Sequence, residues 1–273
     1  MRISEWVAIA RRGAKSWRTV VCESCGAETL TGGGMAFCSN CESIVGSEAK
    51  TVGQDPALFV SVGAIRAAVL RKDFESAAEI YDQMMKGRRS PQLLYAKGIM
   101  YVEFSNYVIS KVSYDGNGMS RNVELRERGA MLASESKKLI AESLGISEKE
   151  AKDVPDAHIF YRMFLCALKL GDLRAAREYS GRISWFDKDG TIASYAKIVL
   201  NVQGGLYKEA EMGLDKLVKT KAMIPTANAF YYAALVAFKT GDKRGAERLI
   251  NASEGLIEGQ KRTNILEAIK SSR

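Results

Sequence analysis

The sequence predicts a mainly α-helical protein, an α-solenoid of about five helix pairs that follows a small N-terminal β unit holding a metal. The first observation is a Gly turn followed five residues later by Ala, which occurs three times, at Ala176, Ala210 and Ala246. These alanines are 34 and 36 residues apart, a period typical of stacked helix–turn–helix repeats. The second observation is the cysteine pattern C-x2-C-x12-C-x2-C between Cys22 and Cys41, a spacing that indicates a metal site.

Composition places the chain among folded proteins without a membrane span. It has 273 residues, 47% of them hydrophobic, and only 4 prolines, which suits one long array or two domains. The net charge of +8 is compatible with a nucleic-acid partner or an acidic protein face, although Lys and Arg are spread along the helices as on solvated surfaces. No long apolar run occurs, and the apolar stretch Trp6–Ala10 is too short for a signal peptide. We therefore expect a cytoplasmic protein.

The chain divides into three segments. Residues 1–45 form an N-terminal arm and the metal unit, residues 46–56 a polar linker ending in proline, and residues 57–273 the solenoid with a C-terminal capping helix. Within the arm, residues 1–16 are predicted to form a short amphipathic helix. A small basic cluster overlaps its end and is interpreted as a solubilising arm or as a phosphate or partner contact: Arg11, Arg12, Lys15 and Arg18.

The β unit is predicted from what flanks each cysteine pair. The β-prone stretch Trp17–Val21 leads into the first CxxC turn, and Met35–Phe37 leads into the second, with glycines 32–34 at the tip between them. This arrangement resembles the zinc-ribbon family. The four expected ligands are Cys22, Cys25, Cys38 and Cys41.

Four thiolates suit one tetrahedral Zn²⁺, and because protein would fill every position, the ion is expected to be structural. An iron site or a redox pair is the alternative. Replacing one of these cysteines is expected to unfold the ribbon and spare the helices.

The helices are predicted in order from turn and cap signals. Ser90, Asp172 and Asp242 are expected as N-caps, and Gly145 is expected to end the fourth helix. The second pair is longer than the others and is either an insertion or an extended arm. The predicted spans are 57–70 and 73–86, about 91–114 and 120–144, 155–170 and 173–184, 189–203 and 206–220, 225–240 and 242–257, and 260–272.

The recurring Gly turns and their period resemble tetratricopeptide repeats over about residues 57–257, while other α-solenoids remain open. Leu173, Tyr207 and Phe74 match the apolar position after the turn, and Lys243 departs from it. The resemblance implies that the first helix of each pair faces a concave groove. It assigns six candidate partner-binding residues, ten and two residues before each Gly: Tyr161, Tyr195 and Tyr231, and Lys169, Gln203 and Lys239. Alternatively, the tyrosines pack between repeats with their hydroxyls at the surface.

The sequence thus predicts a non-enzymatic zinc-binding scaffold or adaptor that holds a protein partner in this groove. The alternative is an RNA- or ribosome-associated factor that uses the basic arm and the ribbon. Catalysis is not expected because the chain has one histidine, His158, no phosphate-cradling loop, no nucleophile elbow and a closed metal site. Cys166 is interpreted as a buried free thiol, and no small-molecule substrate is expected.

Overall fold

The computed structural model describes residues 1–13, 18–31, 36–45, 56–86, 90–112, 119–220, 227–253 and 259–271. Twelve helices lie within these ranges, and four short strands lie near the N-terminus. None of these helices combines the length and the apolarity needed to cross a membrane. The helices are α1 (Ile3–Gly13), α2 (Pro56–Leu70), α3 (Phe74–Met85), α4 (Pro91–Ser110), α5 (Met119–Asp153), α6 (Ala157–Leu170), α7 (Leu173–Phe186), α8 (Thr191–Gln203), α9 (Tyr207–Thr220), α10 (Ala227–Lys239), α11 (Lys243–Ala252) and α12 (Gly259–Ser271).

The β unit consists of two separate antiparallel hairpins. β1 (Arg18–Val21) pairs with β2 (Glu28–Thr31), and β3 (Ala36–Phe37) pairs with β4 (Ile44–Val45). Each hairpin therefore turns at its own CxxC, whereas the sequence predicted one hairpin with its tip at glycines 32–34. That tip, like the linker, lies outside the described residues.

Helices α2 to α11 form five consecutive antiparallel pairs, so the predicted fold class is confirmed. The turn glycines Gly171, Gly205 and Gly241 have φ values of 80°, 73° and 96°, a conformation that favours residues without a Cβ. Asp172 and Asp242 cap the helices that follow, each accepting from a backbone N–H three residues on. The glycine turns and the aspartate caps therefore place these helix boundaries where the sequence predicted them.

Helix α5 runs through Gly145, so the prediction that this glycine ends the helix is wrong. Ser147 continues the helix, and its hydroxyl donates to the carbonyl of Ser143 at 2.7 Å. Arg162 of α6 then donates from Nε to Ser147 Oγ at 2.8 Å, which ties the end of α5 to the next pair. A helical glycine costs only about 1 kcal/mol relative to alanine, and packing against neighbouring helices offsets that.

The long pair α4–α5 is held at close range by small residues spaced seven apart on both helices. A Cβ added to Gly98 would lie 2.6 Å from Ile140 Cγ1, so only glycine permits this approach. Serine hydroxyls bridge the helices at matching intervals, from Ser105 to the Gly129 carbonyl (2.8 Å), from Ser136 to the Gly98 carbonyl (2.8 Å) and from Ser143 to the Pro91 carbonyl (2.7 Å). The pair is therefore an integral, tightly packed part of the array.

The N-terminal helix returns to the far end of the array. The ring of Trp6 meets Phe230 of α10 edge to face, with centroids 5.5 Å apart, and α1 also contacts α11. Ile3, Val7 and Ala10 are buried on the same face of α1 as Trp6. The apolar face of α1 is therefore covered by the last helix pair of the array.

Candidate metal centre

The structure brings the four predicted cysteines together. Their sulfurs all lie within 4.8 Å of one another, with Cys22 to Cys41 at 3.7 Å and Cys25 to Cys38 at 3.6 Å. Four sulfurs bound tetrahedrally at about 2.3 Å from one Zn²⁺ lie about 3.8 Å apart. All four cysteines are buried, and this described cluster contains neither His nor a carboxylate. The donor set therefore fits a structural ion with no coordination position left for water.

The two CxxC turns have the same backbone form. In the first, Gly26 N–H donates to the Cys22 carbonyl at 2.9 Å, and in the second Glu42 N–H donates to the Cys38 carbonyl at 3.1 Å. The residue after each second cysteine is left-handed, with φ of 72° at Gly26 and 63° at Glu42. Such a conformation costs roughly 1 kcal/mol in a residue with a side chain, so Glu42 is an exception that needs a reason.

Without a cation, the clustered sulfurs compete for protons. Hydrogen bonding to the Cys22 sulfur, together with burial, raises the pKa of Cys41, whereas hydrogen bonds from its neighbours, Cys22 first, lower the pKa of Cys38. Four buried thiolates repel one another, and a bound dication removes that repulsion. The four sulfurs are arranged so that one metal ion could bind all of them.

The second hairpin lies against α6, α8 and α10, the first helices of the last three pairs. The ring of Phe37 stacks on Tyr195 of α8 with centroids 3.9 Å apart and lies 5.3 Å from Tyr161 of α6. The Tyr161 hydroxyl donates to the backbone carbonyl of Glu42 at 3.1 Å. The Tyr232 hydroxyl of α10 donates to Glu42 Oε1 at 3.0 Å. Consecutive first helices thus hold one short stretch of the ribbon.

Further hydrogen bonds extend this contact along the groove. Asn228 Nδ2 of α10 donates to the Cys38 carbonyl at 2.8 Å, and the Tyr81 hydroxyl of α3 donates to the Ser24 carbonyl at 3.0 Å. The contacts run from the first pair to the fifth. The ribbon and the helices therefore share one hydrophobic core.

The three tyrosines predicted to line the groove differ in their burial and in their contacts with the ribbon. Tyr161 and Tyr195 are fully buried, and both contact the ribbon. The alternative interpretation placed the tyrosine hydroxyls at the surface, whereas the hydroxyl of Tyr161 is buried against the ribbon. Tyr231 is half-buried, and its neighbour Tyr232, one residue beyond the predicted position, makes the contact with Glu42.

The remaining predicted groove residues, Lys169, Gln203 and Lys239, are exposed near the ends of their helices. Their binding of a partner stays a prediction. The sequence analysis missed four ribbon-facing residues. Those on α10 are four positions apart and so share one face of the helix, a signal that was available in the sequence: Tyr81, Tyr95, Asn228 and Tyr232.

The other reactive side chains lie apart from this centre. Cys166 is buried, burial raises the pKa of its thiol to about 12, and its sulfur donates to Ser143 Oγ at 3.6 Å. His158 is exposed at the start of α6. Of the basic arm, Arg11 is exposed on α1, while Lys15 lies outside the described residues.

No family model, curated protein or solved structure shows significant similarity to this chain. The class of this protein is therefore defined by its fold and its site alone. It is an α-solenoid whose first helices hold a ribbon with four cysteines arranged as a metal site.

Proposed function

We propose that this protein is a non-enzymatic zinc-binding interaction protein, in which the helical array is a scaffold for a protein partner. The observation that carries the proposal is a helical surface already engaged with polypeptide, through the stacked rings of Phe37 and Tyr195 and the hydroxyl of Tyr161 on a backbone carbonyl. Tyrosine offers a large rigid contact area and one directional hydrogen bond, which suits it to recognition of a peptide segment.

Zinc has a structural role in this proposal. The ion supplies the positive charge that allows the four thiolates of Cys22, Cys25, Cys38 and Cys41 to lie within 4.8 Å of one another. Holding these sulfurs joins the two hairpins, which are too short to fold without such a staple. The hairpins then present Phe37 and Glu42 to the array.

The partner surface includes the exposed residues at the C-terminal ends of the first helices. Lys169, Gln203 and Lys239 are exposed at the ends of α6, α8 and α10, eight residues after the predicted groove tyrosine of the same helix. Their amine and amide groups are hydrogen-bond donors suited to acidic side chains or carbonyls of a partner.

An RNA or ribosomal partner is the second candidate, favoured by the net charge of +8 and by the exposed Arg11 near the ribbon. Salt separates the two candidates, since phosphate contacts weaken steeply as the salt concentration rises.

The test has two measurements on the full chain. Elemental analysis is expected to give one zinc per chain. Native pull-down with mass spectrometry, with and without nuclease, is expected to recover a stoichiometric protein that survives nuclease and is lost from the triple variant Lys169→Ala, Gln203→Ala, Lys239→Ala. The matched control replaces Lys137 and Lys149, two exposed lysines of α5, by Ala. Recovery of nucleic-acid-bound proteins that nuclease removes would favour the second candidate, and a protein without zinc would refute the first.

A further inference from the structure

The two CxxC turns carry different residues at the left-handed position after the second cysteine, and the array explains each of them. After Cys25 stands Gly26, where an added Cβ would lie 2.4 Å from the carbonyl oxygen of Val62 in α2, so the approach of that helix requires glycine. After Cys41 stands Glu42, in the same left-handed conformation, which disfavours residues with a side chain. Glu42 is 9% exposed and its carboxylate points at the tyrosines of the groove. Its side chain therefore serves the contact with the array and not the geometry of the turn.

The groove recognises this stretch by three kinds of contact. The hydroxyls of Tyr161 and Tyr232 donate to Glu42, the first to its backbone carbonyl and the second to Oε1. Burial raises the pKa of both tyrosines, so they keep their protons at neutral pH. An aromatic ring, that of Phe37, lies flat on Tyr195. An amide, that of Asn228, binds a backbone carbonyl.

Two donors of the groove are left over. The hydroxyls of Tyr95 on α4 and Tyr195 on α8 are buried, and neither has a hydrogen-bond partner among the described residues. A buried hydroxyl without an acceptor costs free energy, so the ribbon satisfies the surface incompletely. A segment with a further acceptor beside either hydroxyl would fit the groove better than the ribbon does.

We propose that this tyrosine-lined surface is a binding site for a protein segment that presents a carboxylate together with an aromatic ring. The ribbon occupies this site as an internal ligand for as long as it holds zinc. The proposal rests on the interaction function proposed above and names the chemistry of its partner. Phe37, the Cys38 carbonyl and Glu42 all belong to the hairpin that Cys38 and Cys41 fix to the metal, so loss of the ion removes the shape that docks.

Part of the shared core consists of contacts between the helices alone. Second helices pack on first helices through residues such as Ala176, Leu214 and Leu249, all fully buried. Helices α8 and α9 approach so closely that a Cβ on Gly213 would lie 2.8 Å from Ile198 Cγ1. We therefore expect the array to remain helical at 25 °C when the ribbon leaves the groove.

The experiment uses the full chain and a labelled peptide of residues 18–45 that keeps its four cysteines and is loaded with zinc before use. Fluorescence anisotropy is measured on the zinc-loaded native chain and on a zinc-loaded Phe37→Ala, Glu42→Ala variant that keeps all four cysteines. The peptide is expected to bind the variant at least tenfold more tightly than the native chain. A peptide with Gln at the position of Glu42, and another with Ala at that of Phe37, are expected to bind at least fivefold more weakly.

Three results would overturn the inference. The first is equal affinity of the peptide for native and variant chains, and the second is affinity that ignores the Glu and Phe replacements. The third is collapse of the helical circular dichroism signal at 25 °C on chelation, because the ribbon would then be a permanent part of the core. Zinc content measured on the same samples separates this from the proposed function. A chain without zinc refutes both, whereas a zinc-loaded chain that fails the peptide test refutes only the inference.

Discussion

Replacing Phe37 by Ala measures how strongly the ribbon and the array stabilise each other. The side chain is 0% exposed, its ring is 3.9 Å from that of Tyr195, and it also contacts Tyr161. Truncating a buried phenylalanine costs about 3–5 kcal/mol, which includes about 0.5–1.5 kcal/mol for an aromatic pair. For a chain of this size each kcal/mol lowers the melting temperature by about 2–4 °C, so we expect Phe37→Ala to melt roughly 10 °C below the native protein.

The assay is thermal unfolding followed by circular dichroism at 222 nm, a signal that comes almost entirely from the helices. Zinc content is measured in parallel, because Phe37 is not a ligand and its replacement is expected to leave the metal bound. The control is Trp185→Ala on α7, whose side chain is 78% exposed and whose loss is expected to change stability by less than about 0.5 kcal/mol.

A Phe37→Ala protein that keeps its zinc and melts within about 1 °C of the native chain would refute the reasoning, since buried contacts of this size cannot be lost without effect. The ribbon would then be a separate domain, as the division at residues 46–56 predicts.

Three further predictions concern the helices and the remaining cysteines. Gly98→Ala is expected to destabilise the chain by about 1–3 kcal/mol, because its Cβ would meet Ile140 at 2.6 Å. A Cβ on residue 145 would have nothing within 4 Å, so Gly145→Ala is expected to stabilise the chain by about 0.5–1 kcal/mol. Chemical denaturation of both variants checks that the two changes in unfolding free energy have opposite signs. Cys25→Ser is expected to lose zinc and to lower the melting temperature of the helices while leaving them folded at 25 °C, and full zinc stoichiometry in this variant would contradict the metal assignment. Cys166, with a pKa of about 12, is expected to resist a thiol reagent at pH 8 until the protein unfolds, and rapid labelling of the native chain would show that the thiol is accessible.

Much of the metal site was predictable because its signals are local. Two CxxC turns place two sulfurs each, and the short separation of 12 residues brings the pairs together, so Cys22, Cys25, Cys38 and Cys41 follow from spacing. Helix starts at Asp172 and Asp242 and the left-handed glycine turns before them also depend only on neighbouring residues. These features repeat down the chain, and five helix pairs follow from them.

Contacts between distant segments were not predictable from such signals. Tyr161 and Glu42 are 119 residues apart, and Asn228 and Cys38 are 190 apart, so no local pattern records that they meet. The same limit explains Gly145, which by itself looks like the end of a helix but is carried through by packing against neighbouring helices.

The sequence by itself determined which four cysteines cluster, the helical class and the boundaries of most helices, because each depends mainly on short-range features of the chain. Only the tertiary structure decided that the ribbon lies in the groove, that Glu42 accepts from the tyrosines and that α4 and α5 pack at close range. These contacts depend on side-chain shape and hydrogen-bond pairing between surfaces that meet after the helices have formed. The free energy of such contacts cannot be read from the order of residues along the chain.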